Sequence, residues 1–357
     1  MSPRPRVLVV VGAGGVGKTT LAAALALLSA REGTNTLVMT FDPSLRLKDA
    51  LGVGDEARRR DVEVAVGAPG RLFASLLDAR DTFDRLVERY APDAKARDRI
   101  LGNRFYDNLS GSLGGVLEYM AVERLFEVAA NGSYGRIVLD TPPTRQALDF
   151  LEAPQRIIGF LDSGALRIAL KPWFDEDGHL RPTRRLGFVG RNIEAFLDRI
   201  VGLEVLRDMA EFFSAFGPLY EGFRERAAEV QNLLRAASTT FALVSGPGEE
   251  RVPDTLFFAR KLAEAGHRLG PIIVNRIHPP FGTKPAPGAD SPAEHASGLR
   301  LLSWLGERDR RGFAGLRSLL KGDQALVEVP LLQREPTDLA ALADLAALLA
   351  KRLSGAP

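Results

Sequence analysis

A chain of 357 residues, 45% hydrophobic and 26% charged, is long enough to bury one large core or two ordinary ones. Its acidic and basic side chains nearly cancel, to a formal net charge of +2, so no strong overall field draws the chain to nucleic acid or to an anionic membrane. The absence of cysteine excludes disulfides, thiolate metal sites and cysteine nucleophiles.

The amino-terminal residues lead directly into an apolar run, without the pattern of a signal peptide. No apolar stretch approaches the roughly 18 residues of a membrane-spanning helix. We therefore expect a cytoplasmic protein.

The first predicted elements form a βαβ unit. A β-branched run, RVLVVV at residues 6–11, is typical of a strand buried on both faces of a parallel sheet. An alanine- and leucine-rich helix follows at about residues 17–31 and should pack tightly against that sheet. A second strand, at residues 36–41, ends at Asp42.

Four later strands are predicted, and helical stretches separate them. They lie at residues 136–139, 240–244, 271–274 and 326–329, followed by Asp140, Ser245, Asn275 and Pro330. This alternation predicts an α/β fold with a mainly parallel central sheet covered by helices. Ligands of such sheets bind at the carboxyl ends of the strands.

Two regions, at about residues 82–131 and 154–237, are dominated by helical periodicity. We interpret them as an α-helical subdomain inserted into one domain that covers residues 1–357. An aromatic stripe between Phe212 and Phe223 is either the core of this subdomain or a surface that binds another protein. A stretch rich in proline and glycine, at about residues 279–298, is expected to be a flexible loop.

The turn between the first strand and the first helix reads GAGGVGKTT and matches the phosphate-loop pattern G-x-x-x-x-G-K-[ST]. Glycines let successive N–H groups converge on a phosphate chain, a lysine supplies a mobile cation, and a threonine hydroxyl serves Mg²⁺. We therefore predict that a nucleoside triphosphate binds at Gly12, Gly14, Gly15, Val16, Gly17, Lys18, Thr19 and Thr20.

Two acidic residues follow predicted strands, Asp42 in TFDP and Asp140 in LDTPPT. One such aspartate alone would more often be a helix cap or a turn former. Two on the strands of a phosphate-loop sheet are typical of the groups that orient the attacking water and hold Mg²⁺ through its shell.

These residues, together with DTPPTRQALDFLEAPQRI, IIVNRI and VPLLQREPTDLAAL, resemble the ArsA/GET family of P-loop ATPases along nearly the whole chain. That family includes the arsenite-pump ATPase and the ATPase that targets tail-anchored membrane proteins. The resemblance implies hydrolysis of ATP to ADP and phosphate with Mg²⁺. It also implies a nucleotide-bridged dimer whose opening and closing rearranges a helical client-binding surface.

The resemblance also assigns roles to individual residues. Asp42 corresponds to the aspartate that positions the attacking water, and Asp140 to the acid that begins switch II and serves Mg²⁺ with Thr19. Asn275 corresponds to the asparagine that reads the adenine edge. Pro330 and Leu331 correspond to the loop that covers the base.

The phosphate loop departs from the family pattern at Ala13, where the family has a signature lysine that reaches the partner's phosphates. Nucleotide binding is still expected, because Lys18 and the glycines are present, but hydrolysis could be slow. We hypothesise that Arg145 is a catalytic cation that compensates in part for Ala13. The alternative is that Arg145 is a solvent-facing residue in the first turn of a helix.

The leading interpretation is a dimeric nucleotide switch, a homodimer or a heterodimer with a paralogue, acting on a protein client that could be a membrane protein. One alternative is a weakly hydrolysing or non-hydrolysing regulatory subunit that pairs with a complete paralogue. Another is a positioning ATPase of the MinD/ParA kind. No nucleic-acid partner is expected, and any membrane contact should be indirect or transient.

Overall fold

The computed structural model describes residues 6–40, 46–104, 106, 116–141, 152–156, 159, 208, 211–212, 215–216, 219–279, 293–320 and 324–354. The chain divides into two compact units. The first, here called the sheet unit, comprises residues 1–77, 128–148 and 233–357. The second, here called the helical unit, comprises residues 78–127 and 149–232.

The sheet unit contains an eight-stranded sheet in the order β3-β4-β2-β5-β1-β6-β7-β8. All neighbouring strands are parallel except β3 and β4, which are antiparallel. Each of the six strands predicted from the sequence is present, which confirms the α/β fold class. The strands are β1 (Val7–Gly12), β2 (Thr36–Thr40), β3 (Val62–Val64), β4 (Leu72–Leu76), β5 (Arg136–Asp140), β6 (Thr239–Ser245), β7 (Leu269–Ile277) and β8 (Leu326–Pro330).

Two strands escaped the sequence analysis. Strand β3 has only three residues, and β4, with the text LFASL, has no alternation that distinguishes it from a buried helical segment. Strand β4 exists because it pairs along its whole length with β2, from Thr36 opposite Leu72 to Thr40 opposite Leu76. Such pairing is a tertiary effect that overrides a weak local preference.

The described helices follow the predicted alternation, and the regions predicted to be helical contain α3, α4, α5 and α6. In chain order the helices are α1 (Lys18–Arg31), α2 (Arg46–Leu51), α3 (Ala79–Tyr90), α4 (Ala94–Leu101), α5 (Val116–Asn131), α6 (Tyr220–Arg235), α7 (Val252–Glu264), α8 (Ala293–Leu319) and α9 (Leu339–Ser354). None of the described helices is long and apolar enough to cross a membrane.

Helix α1 is buried on nearly every side, because small alanines between its leucines let it pack closely on the sheet. All six residues of β1 are buried, as expected for a central parallel strand. Leu21 and Leu25 of α1 share one apolar core with Leu342 and Leu345 of α9. Each buried leucine contributes about 1.5–3 kcal/mol, so this packing holds the start of α1 firmly at the end of β1.

The core of the helical unit is aromatic. Phe212, Phe216 and Phe223 are each at most 7% exposed, and the ring centroids of Phe216 and Phe223 lie 4.9 Å apart. The Phe83 ring contacts those of Tyr106 and Phe223, at 5.1 and 5.9 Å. The described members of the predicted aromatic stripe therefore form core, which confirms one of the two interpretations and removes these rings as an exposed binding surface.

The stretch predicted as a flexible loop, at about residues 279–298, is partly helical. Residues 280–292 lie outside the described part of the chain, and α8 begins at Ala293, within the predicted loop. The correction has a local reason, since Ala293 and Glu294 are good helix formers and follow the last proline of the stretch.

Candidate nucleotide-binding site

The phosphate loop begins where β1 meets β6, and the backbone there leaves no room for a side chain. A Cβ atom on Gly12 would lie 2.1 Å from the carbonyl oxygen of Val244, its neighbour across the ladder. The φ angle of Gly12 is also positive, at 155°. Only glycine satisfies both conditions, so the first glycine of the motif is required for the close passage of the chain.

The end of the loop packs against Asn275, which lies near the carboxyl end of β7. Gly17 caps α1 in a left-handed conformation with φ 91°, and a Cβ there would lie 2.5 Å from Asn275 Nδ2. The same Nδ2 donates a hydrogen bond of 2.8 Å to the carbonyl oxygen of Val16. Asn275, predicted to read adenine, thus lies against the phosphate loop and supports its shape; its contact with a base stays a prediction.

Lys18 is the cation of the site, and it is held within the loop. Its ammonium donates a hydrogen bond of 2.9 Å to the carbonyl oxygen of Ala13, and the residue is only 6% exposed. Thr19 and Thr20 are half-buried in the first turn of α1, while Gly14 and Gly15 are exposed at the crest of the loop. A buried ammonium bonded to a neutral carbonyl can exchange that partner for a phosphate oxygen, which is the stronger acceptor.

Asp140 ends β5, the strand between β1 and β2, and is completely buried. The Thr40 hydroxyl, at the end of β2, donates a hydrogen bond of 3.0 Å to Asp140 Oδ2. The next residue, Thr141, donates its hydroxyl to the carbonyl oxygen of Val10 at 2.7 Å. These bonds fix the direction of the Asp140 carboxylate at the sheet edge that carries the phosphate loop.

The residues predicted to cover a base lie at the end of β8. Pro330 is the last residue of that strand, and the N–H of Leu331 donates to the carbonyl oxygen of Ile277 in β7 at 2.7 Å. The Leu331 side chain is 42% exposed. It is therefore available to pack on a flat apolar group.

Two predicted catalytic residues, Asp42 and Arg145, lie outside the described part of the chain. Two residues that the sequence analysis did not single out take part in the site. Thr40 orients Asp140, and Arg276 donates from Nη1 to the carbonyl oxygen of Gly15 at 3.1 Å. The sequence offers a weak signal for both, since each lies within two residues of a predicted site residue.

The arrangement fits a magnesium nucleotide. The glycine loop offers backbone N–H groups at a helix N-terminus, Lys18 offers a positive charge, and any Cβ at Gly12 or Gly17 would collide with neighbouring atoms. The described residues contain no group of three His, Cys, Asp or Glu side chains that could hold a metal. That is compatible with Mg²⁺, which is often held by one or two protein oxygens together with water and phosphate.

The parallel sheet and the glycine loop at the carboxyl end of β1 define a P-loop nucleoside triphosphatase. A family model described as anion-transporting ATPase matches residues 5–173. An uncharacterized protein of Streptomyces coelicolor, SCO2128, is 30% identical over 91% of this chain and 76% of its own length.

Two further relatives are named as GET3-type ATPases. ATPase get3 of Aspergillus terreus is 34% identical over 42% of this chain and 43% of its own length. ATPase GET3B of Arabidopsis thaliana is 27% identical over 75% of this chain and 63% of its own length. The chain thus spans less than two thirds of each of these two relatives. With the family model and the Streptomyces relative, these matches show that the chain belongs to the ArsA/GET family of P-loop ATPases.

Proposed function

We propose that this protein binds ATP with Mg²⁺ at the phosphate loop and hydrolyses it. The change from bound ATP to bound ADP would then alter its affinity for a protein client. The observation that carries the proposal is the glycine loop from Gly12 to Lys18, in which the Lys18 ammonium is buried and donates a hydrogen bond to the carbonyl oxygen of Ala13. Such a loop stores a cation at the position where phosphate charge would be neutralised.

We assign a role to each residue of the site, and for Asp42 the role is the one that the family resemblance implies. Lys18 and the loop N–H groups bind the β- and γ-phosphates, and the Thr19 hydroxyl and the Asp140 carboxylate, directly or through water, hold Mg²⁺. Mg²⁺ held by these two residues would supply positive charge against the transferred phosphoryl group. Thr40 keeps the Asp140 carboxylate oriented, and Asp42 orients the attacking water.

The adenine would lie between Asn275 and the chain at Pro330 and Leu331. The exposed Leu331 side chain supports this placement, because an apolar surface beside a polar amide suits a flat heterocycle with hydrogen-bonding edges. The amide of Asn275 already has its orientation set by two hydrogen bonds. Recognition of the base requires it to exchange or share one of them.

Binding can be tested by titration calorimetry with MgATP and MgADP. Lys18→Ala should weaken binding by at least about 100-fold, since it removes the charge-assisted bonds to the phosphates. Lys95→Ala is the matched control, because Lys95 is an exposed lysine on α4, and should bind as the parent does. Equal affinity in the parent and in Lys18→Ala would refute the proposed site.

Hydrolysis is measured separately, as phosphate release at saturating MgATP. Asp140→Asn should lower turnover by at least about 100-fold with a smaller effect on ATP affinity, because the carboxylate acts mainly on charge that develops in the transition state. Unchanged turnover in that variant would contradict the assigned role of Asp140.

One observation supports a second candidate, a regulatory subunit that binds ATP but hydrolyses it weakly. Ala13 stands where the family has its signature lysine, and its carbonyl oxygen is engaged by Lys18 of the same chain. Ala13→Lys should raise turnover about 10-fold or more if a missing cation limits the rate. Turnover that appears only when a paralogue is added would favour the regulatory role.

The switch also requires a change of assembly or of client binding with nucleotide. We expect a dimer, measured by sedimentation, to be stabilised by ATP in the slow variant Asp42→Asn. We expect the same variant with ATP to retain the client in affinity capture. A variant that binds ATP yet stays monomeric and retains no protein would contradict the switch while leaving nucleotide binding intact.

A further inference from the structure

Arg276 has an unusual backbone conformation. Among the described residues, it is the only one other than glycine with a positive φ angle, 64°. This left-handed conformation is strained for a residue with a Cβ. It occurs where the pairing of β7 and β8 shifts register, between Val274 opposite Glu328 and Ile277 opposite Pro330. Strain of this kind is often found where a backbone must hold a functional group in place.

Two groups of Arg276 support the phosphate loop, one directly and one through Asn275. Its N–H donates to Asn275 Oδ1 at 3.0 Å, which turns Asn275 Nδ2 toward the carbonyl oxygen of Val16. Its guanidinium Nη1 donates to the carbonyl oxygen of Gly15 at 3.1 Å. Two consecutive residues at the end of β7 therefore hold two consecutive carbonyl groups of the loop.

The other side of the guanidinium is bonded to the chain that follows β8. Arg276 Nη2 lies 3.0 Å from Glu335 Oε1. Glu335 follows Pro330 and Leu331, whose own backbone is bonded to Ile277. The planar fork of an arginine can serve two acceptors in fixed directions, which the single ammonium of a lysine does not reproduce.

We propose that Arg276 is a positioning residue that couples the segment covering the base, Pro330 and Leu331, through the nearby Glu335 to the crest of the phosphate loop at Gly15. A base packed under that segment restrains Glu335, which restrains Arg276, which restrains the Gly15 carbonyl. Phosphate then binds a loop that is already ordered. The inference rests on the proposed function, because it needs phosphates at the loop and a base at residues 330–331.

The link is adjustable rather than rigid. The Arg276 and Glu335 side chains are 47% and 77% exposed, and exposed ion pairs are weak enough for a ligand to remodel. The expected coupling is therefore at the low end of that seen between ligand sites, about 3- to 10-fold in affinity. By reciprocity, base and phosphate each raise the affinity for the other by the same factor.

The coupling is measured as the affinity for magnesium pyrophosphate, with and without saturating adenosine, by titration calorimetry. Pyrophosphate carries no base and adenosine carries no phosphate, so each probe reports on one half of the site. In the parent, adenosine should tighten pyrophosphate binding about 3- to 10-fold.

The variants separate the guanidinium from the backbone. Arg276→Gly keeps the left-handed conformation, since glycine adopts it without strain, and removes the guanidinium. It should fold as well as the parent, and the ratio of its pyrophosphate affinities with and without adenosine should be close to one. Arg276→Lys and Glu335→Gln should also bring this ratio close to one. The lysine has no guanidinium that can bond both segments, and the glutamine removes the charge that pairs with Arg276. Arg334→Ala, a change at the exposed neighbour of Glu335, should keep the full effect.

The possible failures are distinguishable. If the parent binds neither ADP nor pyrophosphate, the proposed function and the inference fail together. If the parent binds both but adenosine has no effect, or if Arg276→Gly keeps the parental effect, the inference is overturned and the proposed function stands. A loss of the effect in all three variants at Arg276 and Glu335, but not in Arg334→Ala, supports it.

Discussion

The carboxyl edge of the sheet and the interior of the helical unit both bury charged side chains, but they hold them differently. At the sheet edge, Lys18 is bonded to the carbonyl oxygen of Ala13, and Asp140 to the hydroxyl of Thr40. In the helical unit, Glu123 and Arg226 are 2% and 11% exposed and are bonded to each other, with Nε 2.6 Å from Oε1.

The difference separates a site for a ligand from a structural contact. Neutral carbonyl and hydroxyl partners can be exchanged for phosphate oxygens or a metal ion at small cost, because charged partners bind more strongly. In the helical unit the two opposite charges are bonded directly to each other, and Arg226 Nη2 has no hydrogen-bond partner among the described residues. Loss of either member of that pair leaves an uncompensated buried charge.

The largest effect is expected for breaking the buried ion pair. Arg226→Met should lower the free energy of unfolding by about 3–5 kcal/mol, because the Glu123 carboxylate then stays buried without its partner. The control is Lys261→Met, which breaks an exposed pair with Glu264 at 2.9 Å and should have little effect. Urea denaturation measures both. A double variant, Glu123→Leu with Arg226→Met, that is as unstable as Arg226→Met alone would contradict this explanation.

The next largest effect is expected at Gly12, where the backbone lies close to the carbonyl oxygen of Val244. Gly12→Ala should cost about 3 kcal/mol or more, because a Cβ must displace the Val244 carbonyl and the φ angle is unfavourable. Gly33→Ala is the matched control, with φ 87° and no atom within 4 Å of the added Cβ. It should cost about 1 kcal/mol from the backbone alone. Equal losses in urea denaturation would show that the close contact at Gly12 is unimportant.

A smaller effect is expected at Asp140. Thr40→Val removes the hydroxyl bonded to Oδ2 without changing the shape of the side chain, and should cost about 1–2 kcal/mol of stability. ATP turnover should fall as well, since the carboxylate is less well oriented. Thr40→Ser keeps the hydroxyl and should therefore keep both the stability and the turnover of the parent. Turnover at the parental rate in Thr40→Val would mean that Asp140 is oriented by its other contacts.

The smallest effects are pH slopes of opposite sign in the two units. Burial raises the pKa of the Glu123 carboxyl above its ordinary 4.5, although Arg226 acts to lower it. Burial also acts to raise the pKa of Asp309 on α8, but hydrogen bonds from His278 and Arg308 hold that pKa below its ordinary 3.8. Both carboxyls are almost inaccessible to solvent.

The sign follows from which state binds more protons. For Glu123 the folded state does, so its contribution to stability falls as pH rises from 4.5 through the raised pKa. For Asp309 the unfolded state does, so its contribution is complete above pH 3.8 and is lost as pH falls through the lowered pKa. The difference in unfolding free energy between parent and Glu123→Gln, or Asp309→Asn, measures each slope. Slopes of the same sign would refute the comparison.

Local sequence patterns predicted six strands correctly, together with the glycine-rich turn between β1 and α1 at which phosphate binding stays a prediction. Gly12 and Lys18 were recognisable because the chemistry of phosphate binding needs a fixed spacing of neighbouring residues, and β1 because a doubly buried strand is uniformly apolar. Strands β3 and β4 were missed because they form only by pairing with other strands, which a local pattern does not show. The aromatic stripe was left with two interpretations, since burial and exposure of a stripe depend on what packs against it.

The sequence by itself thus determined the class of fold, the phosphate loop and the acidic strand end at Asp140, because each depends on residues that are adjacent in the chain. Only the tertiary structure decided how the site is held together. The bonds from Asn275 to Val16 and from Arg276 to Gly15 join residues 259 and 261 positions apart. No local pattern encodes them, because they arise only when the parallel sheet brings the ends of β1 and β7, with β6 between them, to the same edge.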